Sequence, residues 1–342
     1  MTALDYNQQT AHLAAPDFGL YYNRNVGQLS FVYLTSTPFS GSTLFSFLAA
    51  AHPGLATVGE MTGLVNSTDP DLYECSCGRR IRQCPFWAAV ARNMSAKGHS
   101  FDPGRFDTRL VLGRRRWTRR FLSGTLGNTK LEDIRDLMLT ALPTQRTRLR
   151  FLIARNKALA YSILEACNKS VFLDASKSAD AIRHFNREAD LDLRVVHLVR
   201  DVRGFSCSRR KNKGESDLRK IAGLWARAHS NIERQLERLP PERWLRIRYE
   251  DVCNSTLDTL NRFFQFCALH PLRADDILAP REHHIVGNRM RLSNFSVIRP
   301  DESWRRQLTI REQDEIASVA SRLHLRYGYE PMAHSDLTAE AA

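Results

Sequence analysis

The sequence has no long hydrophobic run. A membrane-spanning helix needs roughly 18 consecutive apolar residues, and the longest candidate, at 44–51, contains Ser46 and is followed by His52 and Pro53. The N-terminal residues also lack the basic and apolar regions of a secretory signal peptide. We therefore expect a cytoplasmic protein without a membrane span.

Lysine is scarce. Only eight of the 50 basic residues are lysines, so the net charge of +13 comes almost entirely from arginine. Arginine binds phosphate and sulfate through a planar fork, which suits an anionic cofactor, an acidic substrate or a nucleic acid. The run RRRWTRR at 114–120 could contact nucleic acid. A solvated helical face or the rim of an acidic-substrate site is the favoured interpretation, and we expect no nucleic-acid partner.

The seven cysteines are an odd number without a secretion signal, which argues against a disulfide framework. Cys75, Cys77 and Cys84 follow the spacing C-x-C-x₆-C, which suggests a zinc knuckle. Structural zinc wants a fourth Cys or His, and none follows at a familiar spacing. Free thiols or a local disulfide are the simpler interpretations, and we expect no metal.

The pattern of apolar segments predicts an α/β fold. The 25% charged and 43% hydrophobic residues are ordinary for a globular protein and exclude a mostly disordered chain. Strands are predicted at 30–36, 170–174, 194–199 and 244–248, and helices at 44–51, 151–167, 178–188, 201–210, 217–239, 251–267 and 309–325. Alternation of strands and helices indicates a mostly parallel central sheet flanked by helices.

We predict one domain over residues 27–330, preceded by a lead-in at 1–26 and followed by a tail at 331–342. Residues 62–150 contain the cysteines and several Gly and Pro breaks. We interpret them as a partly helical insertion in this domain.

The segment TSTPFSGST at 35–43 joins a buried strand to a helix through a turn of small residues. The N–H groups of such a turn converge at the positive end of the helix and favour a phosphate. Ser40, Ser42 and Thr43 add hydroxyl donors, and Gly41 allows close approach of an oxyanion. The segment lacks the lysine of the G-x-x-x-x-G-K-[ST] motif, so ATP or GTP hydrolysis fits poorly. The alternative is a plain strand–helix turn with a Ser/Thr cap.

A second segment, HLVRDVRGFSCSRR at 197–210, places Arg200 at the end of a strand and Ser208 about two helical turns further on. Open α/β sheets bind ligands at this edge, so both side chains could meet the same anion. A pair of Arg200 with Asp201 beside an exposed basic helix is the alternative.

Together these two segments resemble the phosphosulfate-binding segments of the sulfotransferase family, which uses 3′-phosphoadenosine-5′-phosphosulfate (PAPS). The resemblance extends over about residues 30 to 330 and is with the bacterial and carbohydrate-type branch. It implies that the 5′-phosphosulfate is held by Pro38, Phe39, Ser40, Gly41, Ser42 and Thr43. It also implies that Arg200 and Ser208 hold the 3′-phosphate.

Three further motifs match this branch. RYEDV at 248–252 resembles the segment whose tyrosine, here Tyr249, lies near the adenine. HHIVGNRMR at 283–291 resembles the stretch H-x-I-x-G-N-x-x-R and makes Gly287, Asn288 and Arg291 candidates for cofactor binding. DASK at 174–177 resembles the branch's Asp-x-Ser-Lys after a strand.

One position departs from the family pattern. The family's turn usually carries a basic residue where this chain has Phe39. Lys177 is the predicted replacement, because it follows a strand whose carboxyl end should lie near the phosphosulfate. The alternative is a surface pair of Lys177 with Asp174 or Asp180.

Sulfuryl transfer resembles phosphoryl transfer in its loose transition state, so positioning and electrostatics carry most of the catalysis. A general base should accept the proton of the acceptor, and Glu60 and His283 are the candidates. A capping role for Glu60 and a hydrogen-bonded loop position for His283 are the alternatives. The sequence has no HExxH motif and no acidic pair beside the turn, so we expect a reaction without a metal.

The predicted function is a PAPS-dependent sulfotransferase that acts on a hydroxyl or amine of a small-molecule, glycan or lipid acceptor. A P-loop-like nucleotide or phosphate kinase is one alternative. A non-catalytic module that binds anions or nucleic acid is the other. Neither the acceptor nor the oligomeric state can be deduced from the sequence.

Overall fold

The computed structural model describes residues 28–62, 69–113, 115–277, 283–287, 289–292 and 298–332. The predicted lead-in and all but the first two residues of the predicted tail lie outside these ranges, as does Asn288. Within them, no helix combines the length and the apolar character that crossing a membrane requires.

The described residues contain one five-stranded sheet with the order β2-β3-β1-β4-β5. All of its strand pairs are parallel. The strands are β1 (Leu29–Thr35), β2 (Leu55–Thr57), β3 (Val171–Lys177), β4 (Leu191–Val199) and β5 (Trp244–Arg248). The predicted α/β class with a parallel sheet is confirmed.

Helices connect the strands and cover the sheet. They are α1 (Ser42–Ala49), α2 (Pro85–Ala96), α3 (Arg116–Ser123), α4 (Thr129–Ala141), α5 (Pro143–Cys167), α6 (Ala179–Phe185), α7 (Val202–Lys213), α8 (Leu218–Leu236), α9 (Tyr249–Asn254), α10 (Thr256–Phe266), α11 (Ala274–Ile277), α12 (Trp304–Gln307) and α13 (Ile310–Arg326). Short 3₁₀ helices occupy Ile81–Gln83, Pro241–Arg243 and Arg289–Leu292.

The structure corrects several predicted boundaries. Strand β2 was not predicted, since three residues are too few to show a periodicity. Helix α5 begins at Pro143 rather than at 151, because proline is well suited to the first turn of a helix. The helix predicted over 251–267 is two helices, separated at Ser255, whose backbone leaves the helical region.

Both faces of the sheet are buried. Phe31 and Tyr33 of β1 pack into one hydrophobic cluster, whereas Val32 and Leu34 pack into another on the opposite face. This explains why β1 is a nearly continuous apolar run rather than an alternating one. Its central position in the sheet follows from the same composition.

The predicted insertion contributes helices α2, α3 and α4, and α5 returns the chain to the sheet. A buried ion pair links α4 to α6. In this pair, Arg183 Nε lies 3.2 Å from Asp136 Oδ2. Trp117 of α3, in the arginine-rich run, is 66% exposed. Helices and loops alternate in the described part of residues 62–150, and the interpretation of this segment as an insertion stays a prediction.

The parallel sheet brings the candidate residues to one edge. The turn at 36–41 follows β1, Glu60 follows β2 by three residues, and Lys177 is the last residue of β3. Arg200 follows β4, and Tyr249 follows β5. Because all five strands run in the same direction, their carboxyl ends form a single ligand-binding edge.

Candidate active site

The turn between β1 and α1 is built from buried hydroxyl side chains. Thr37 Oγ1 and Ser40 Oγ lie 2.7 Å apart and share a hydrogen bond. Ser42 is also buried, Thr43 is half-buried and Pro38 is exposed. The first turn of α1 contains no acidic residue, so the helix terminus keeps its full preference for an anion.

Gly41 is the N-cap of α1, with φ of 84°. This left-handed conformation favours glycine. The ring of Tyr249 also packs so closely against it that a Cβ at this position would overlap the ring. Glycine is therefore required here for two reasons, and Tyr249 forms the floor of the turn.

Phe39 occupies the position of the family's basic residue but does not take over its role. Its side chain packs against the hydrophobic cluster of α7, α8 and α13, so it contributes to the core. Its backbone carbonyl accepts a hydrogen bond of 2.8 Å from Arg200 Nη1. The position therefore supplies an anchor for Arg200 instead of a charge.

Arg200 joins the two predicted anion-binding segments. Besides the Phe39 carbonyl, Nη1 donates to Ser208 Oγ at 3.1 Å, and Nη2 donates to Asp301 Oδ2 at 3.0 Å. The guanidinium carbon lies 4.8 Å from the centre of the Tyr249 ring. Arg200 does not pair with Asp201, whose carboxylate binds Arg203 instead at 2.6 Å. The structure therefore does not support the alternative of an Arg200–Asp201 pair.

The environment of Arg200 leaves one donor unused. The residue is 5% exposed, and its Nε is buried without a hydrogen-bond partner among the described residues. A buried donor without a partner is costly, so it indicates a place where a ligand could accept a hydrogen bond.

Asp301 was not predicted as a site residue. Although partial burial opposes this, hydrogen bonds from Ser303 and Arg200 lower the pKa of Asp301, so it is an anion on the guanidinium.

Tyr249 lies between the turn and Arg200. Its hydroxyl accepts a hydrogen bond of 3.3 Å from the backbone N–H of Asp301. Burial raises the pKa of Tyr249 to about 12, so the phenol stays neutral. The tyrosine thus contacts both predicted anion-binding segments.

Lys177 and Glu60 form an ion pair. Lys177 Nζ binds Glu60 Oε1, and the side chains are 17% and 26% exposed. The alternative of a Lys177 pair with Asp174 or Asp180 is therefore not what the structure contains. The backbone of Lys177 adjoins the end of β1, because Thr35 Oγ1 donates to its carbonyl at 3.0 Å. Its φ of 73° is unusual for a lysine.

Asp174 binds the residues next to Glu60 and Lys177. The sequence analysis did not name it as a site residue. Its Oδ1 accepts hydrogen bonds from the N–H of Met61 at 3.2 Å and from the N–H of Ser176 at 2.9 Å. Burial raises the pKa of Asp174 to about 6, an effect that these hydrogen bonds only partly offset. The carboxyl connects the end of β3 to the loop after β2, and the DASK motif was the signal for it.

Residues 283–287 lie against the loop that carries Glu60. Val286 N–H donates to Val58 O at 2.8 Å, next to Glu60. Gly287 has φ of 115°, and a Cβ there would lie 3.3 Å from Glu60 Cδ. Gly287 therefore has a role in shaping this side of the site, although the structure gives it no ligand.

The other candidates at 283–291 have structural contacts. The ring of His283 meets the ring of Phe47 on α1 edge to face, 5.1 Å between centres. Arg291 is 6% exposed, and its guanidinium donates to Glu74 O at 2.9 Å and to Gly287 O at 3.1 Å. Binding of a ligand by either residue stays a prediction, and Asn288 lies outside the described residues.

A cavity of about 180 Å³ lies beside Asp174. Residues of the predicted insertion form one wall, including Thr62, Thr108 and Arg109. Tyr33 also lines the cavity, and burial raises the pKa of its phenol well above the ordinary value, so the hydroxyl stays neutral. Ser176 and Ser178, the sequence neighbours of Lys177, line the cavity together with Asp174.

Comparison with known proteins follows from this geometry. The model of the sulfotransferase family matches residues 32–272. A search of curated proteins finds no significant match.

Two solved structures that are similar to the chain are sulfotransferase domains. The domain from the curacin biosynthetic pathway is 19% identical, with a TM-score of 0.45, and covers 89% of this chain and 99% of its own. The domain from a Synechococcus olefin synthase is 17% identical, with a TM-score of 0.47, and covers 91% and 98%. The sulfotransferase STF9 from Mycobacterium avium is 11% identical, with a TM-score of 0.44, and covers 90% and 79%.

Proposed function

The chain belongs to the sulfotransferase family, and from that membership we propose that it transfers the sulfuryl group of PAPS to a hydroxyl or amine. The observation that carries the proposal is the position of Arg200. Its guanidinium bridges the turn after β1, through Phe39 O, and helix α7, through Ser208 Oγ. Two sequence segments separated by about 160 residues thereby form one anion-binding site.

The donor fits the residues at this edge. Arg200 would bind the 3′-phosphate through its unused Nε and through Nη2, which Asp301 now neutralises. The hydroxyls of Ser40, Ser42 and Thr43 and the N-terminus of α1 would hold the 5′-phosphosulfate. When bound, PAPS supplies an activated sulfuryl group whose leaving group is a phosphate.

Glu60 and Lys177 are the proposed chemical groups of the site. Glu60 would accept the proton of the acceptor. The ammonium of Lys177 would hold the carboxylate in position. It would also stabilise the negative charge that develops on the transferring group in the transition state. The pair is charge-neutral, so it adds no net charge to this side of the site.

The cavity beside Asp174 is the proposed acceptor site. It lies between β3 and residues 108–111 of the insertion, and Asp174 connects its wall to the Glu60 loop. Its lining is mainly apolar, through Leu110, Val111 and Phe185, and also contains polar side chains such as Arg109 and Thr108. Such a lining suits an acceptor that carries a hydroxyl on an apolar body. The kinase-like alternative and the non-catalytic alternative gain no support from a specific contact among the described residues.

A calorimetric titration tests the donor site. The chain should bind 3′-phosphoadenosine-5′-phosphate more tightly than AMP, since only the former carries the 3′-phosphate. Charge-assisted hydrogen bonds contribute about 1.5–3 kcal/mol, so Arg200→Ala should weaken binding by roughly one to two orders of magnitude. Arg209→Ala is the matched control, because Arg209 lies on the same helix but pairs with Glu215.

Equal affinity for the two nucleotides would contradict the proposal, as would unchanged binding by Arg200→Ala. Equal losses in Arg200→Ala and Arg209→Ala would show that only the general positive charge of α7 matters.

A further inference from the structure

The three cysteines of the C-x-C-x₆-C motif meet a histidine from a distant part of the chain. Cys75, Cys77, Cys84 and His284 place one potential ligand atom each within 4.8 Å of one another. Cys75 and Cys84 are buried, and Cys77 and His284 are half-buried. The fourth ligand that the sequence analysis did not find is thus 200 residues beyond Cys84.

The distances between these atoms exclude a disulfide and fit one metal ion. Cys77 Sγ and Cys84 Sγ are 3.7 Å apart, whereas a disulfide bond is about 2.05 Å. His284 Nδ1 lies 3.5 Å from Cys84 Sγ and 3.7 Å from Cys75 Sγ. Four ligands at the usual zinc distances form a tetrahedron with edges of about 3.8 Å between sulfurs and about 3.6 Å between sulfur and nitrogen.

The backbone around the first two cysteines forms a tight turn. Cys75 N–H donates to Arg79 O at 2.8 Å, and Gly78 N–H donates to Cys75 O at 2.9 Å. These backbone hydrogen bonds fix the positions of Cys75 and Cys77 relative to each other without any bound ion.

The histidine ring is held in place as well. It stacks on the ring of Phe86 at 4.2 Å between centres, with an angle of 4° between the planes. This contact fixes the plane of the ring, and Nδ1 lies on the side of the Cys75 and Cys84 sulfurs.

We propose that Cys75, Cys77, Cys84 and His284 bind one structural zinc ion. Three thiolates and one imidazole are a soft, tetrahedral donor set, which favours zinc over magnesium or calcium. The four protein ligands complete the coordination, so the ion has no open position for a substrate and no part in the reaction.

The zinc ion would link residues 283–287, which include His284, to the turn that carries Cys75 and Cys77. Ser76 lies between two of the ligands, and its hydroxyl donates to His283 O and accepts from Ile285 N–H, both at 2.7 Å. Arg291 reaches Glu74 O, next to Cys75. Residues 283–287 also place Gly287 beside Glu60, so the ion would hold this side of the proposed active site.

Metal analysis of the full-length protein tests this proposal. Elemental analysis after purification without chelators should find about one zinc per chain. Cys77→Ser should lower the zinc content several-fold; Cys77 is partly exposed, which makes this the mildest change of a ligand. Cys167→Ser is the matched control, because Cys167 is also partly exposed but lies at the end of α5 outside the cluster.

Cobalt replacement gives an independent readout. A wild-type protein reconstituted with cobalt(II) should show the thiolate-to-metal charge-transfer band and the visible bands of a tetrahedral site. Cys167→Ser should keep these bands, and His284→Ala should lose their tetrahedral form. Neither readout depends on transferase activity, so the zinc proposal and the proposed function fail separately.

Wild-type measurements keep the proposal testable where a ligand variant does not fold. Zinc well below one equivalent, with three reactive thiols in the native cluster, would overturn it. Iron in place of zinc, a Cys77–Cys84 disulfide in the mass spectrum, or full zinc retention by Cys77→Ser would overturn it equally. Release of about one zinc by a thiol-modifying reagent would support it.

Discussion

The two sides of the ligand-binding edge handle charge differently. At the end of β4, Arg200 is buried against neutral groups, the Phe39 carbonyl and the Ser208 hydroxyl. Among the described residues, Asp301 is the acidic partner of its charge. At the ends of β2 and β3, the charges of Glu60 and Lys177 cancel in a pair. The first arrangement is suited to hold a permanent anion, and the second to move a proton beside one.

From this difference we propose that binding and chemistry take place on different sides of the sheet edge. A change on the arginine side should alter affinity more than turnover. A change on the lysine side should do the reverse, because its interactions strengthen in the transition state. The predictions below test this division, starting from the largest expected effect.

Glu60→Gln should have the largest effect. If Glu60 is the general base, its loss should lower kcat by about 10²–10⁴-fold and remove the acidic limb of the pH profile. Affinity for 3′-phosphoadenosine-5′-phosphate should stay within a few-fold. Glu165→Gln is the matched control, since Glu165 also pairs with a lysine, Lys97, but on the surface. Turnover within threefold of the wild type would show that Glu60 is not the general base. His283 would then be the next candidate.

Lys177→Ala should lower turnover by about 10²-fold, the cost of removing one donor from an oxyanion site. Nucleotide affinity should change much less. Lys157→Ala is the control, because it breaks a comparable pair with Glu188 at 2.7 Å on the other end of β4. Unaltered turnover would show that the ammonium only completes a structural pair.

The double variant Glu60→Gln/Lys177→Ala separates two roles for the lysine. If Lys177 acts only by positioning Glu60, the double variant should be no slower than Glu60→Gln. Multiplied effects would show that the ammonium acts on the transferring group itself.

Gly41→Ala tests the arginine side. The added Cβ requires a left-handed alanine and displaces the Tyr249 ring. Gly98→Ala is the control, since Gly98 has φ of 77° with open space around it and reports the backbone cost alone. Overpacking typically costs about 1–3 kcal/mol, so Gly41→Ala should lose about 2 kcal/mol more unfolding free energy than Gly98→Ala. Equal losses in denaturant titrations would mean that the contact of Tyr249 with the turn has no energetic weight.

The smallest predicted effect concerns Asp174. Its pKa of about 6 in the folded protein exceeds the ordinary value of 3.8. The carboxyl is therefore most favourable to folding below pH 4, and this contribution is lost as the pH rises through 6. Relative to the wild type, Asp174→Asn should gain about 1–2 kcal/mol of unfolding free energy between pH 4 and 7.

Asp102→Asn provides the control with the opposite sign. Hydrogen bonds from Arg82 lower the pKa of Asp102, so its ionised form favours folding. That variant should lose a small amount of stability relative to the wild type as the pH rises. If the difference in unfolding free energy between Asp174→Asn and the wild type did not change with pH, burial would not raise the pKa of Asp174.

Much of the fold was readable from local sequence. Strand β1 is an apolar run that is buried on both faces, and α13 begins at the capping box of Thr309 and Glu312. The short strand β2 and the break at Ser255 were not readable, because each is decided by one to three residues within a larger packing. Burial of a long segment leaves a periodic signal, whereas a short contact leaves none.

The site divides along the same line. The sequence by itself determined the strand–turn–helix at 35–49, Arg200 at a strand end, and three of the four cluster ligands, because each is a pattern within a few residues. Only the tertiary structure decided that Phe39 enters the core, that Lys177 binds Glu60, and that His284 reaches the cysteines. These contacts depend on which strands are neighbours and on how a loop returns over the sheet. Such long-range pairings are set by the packing of the whole chain rather than by the residues adjacent in sequence.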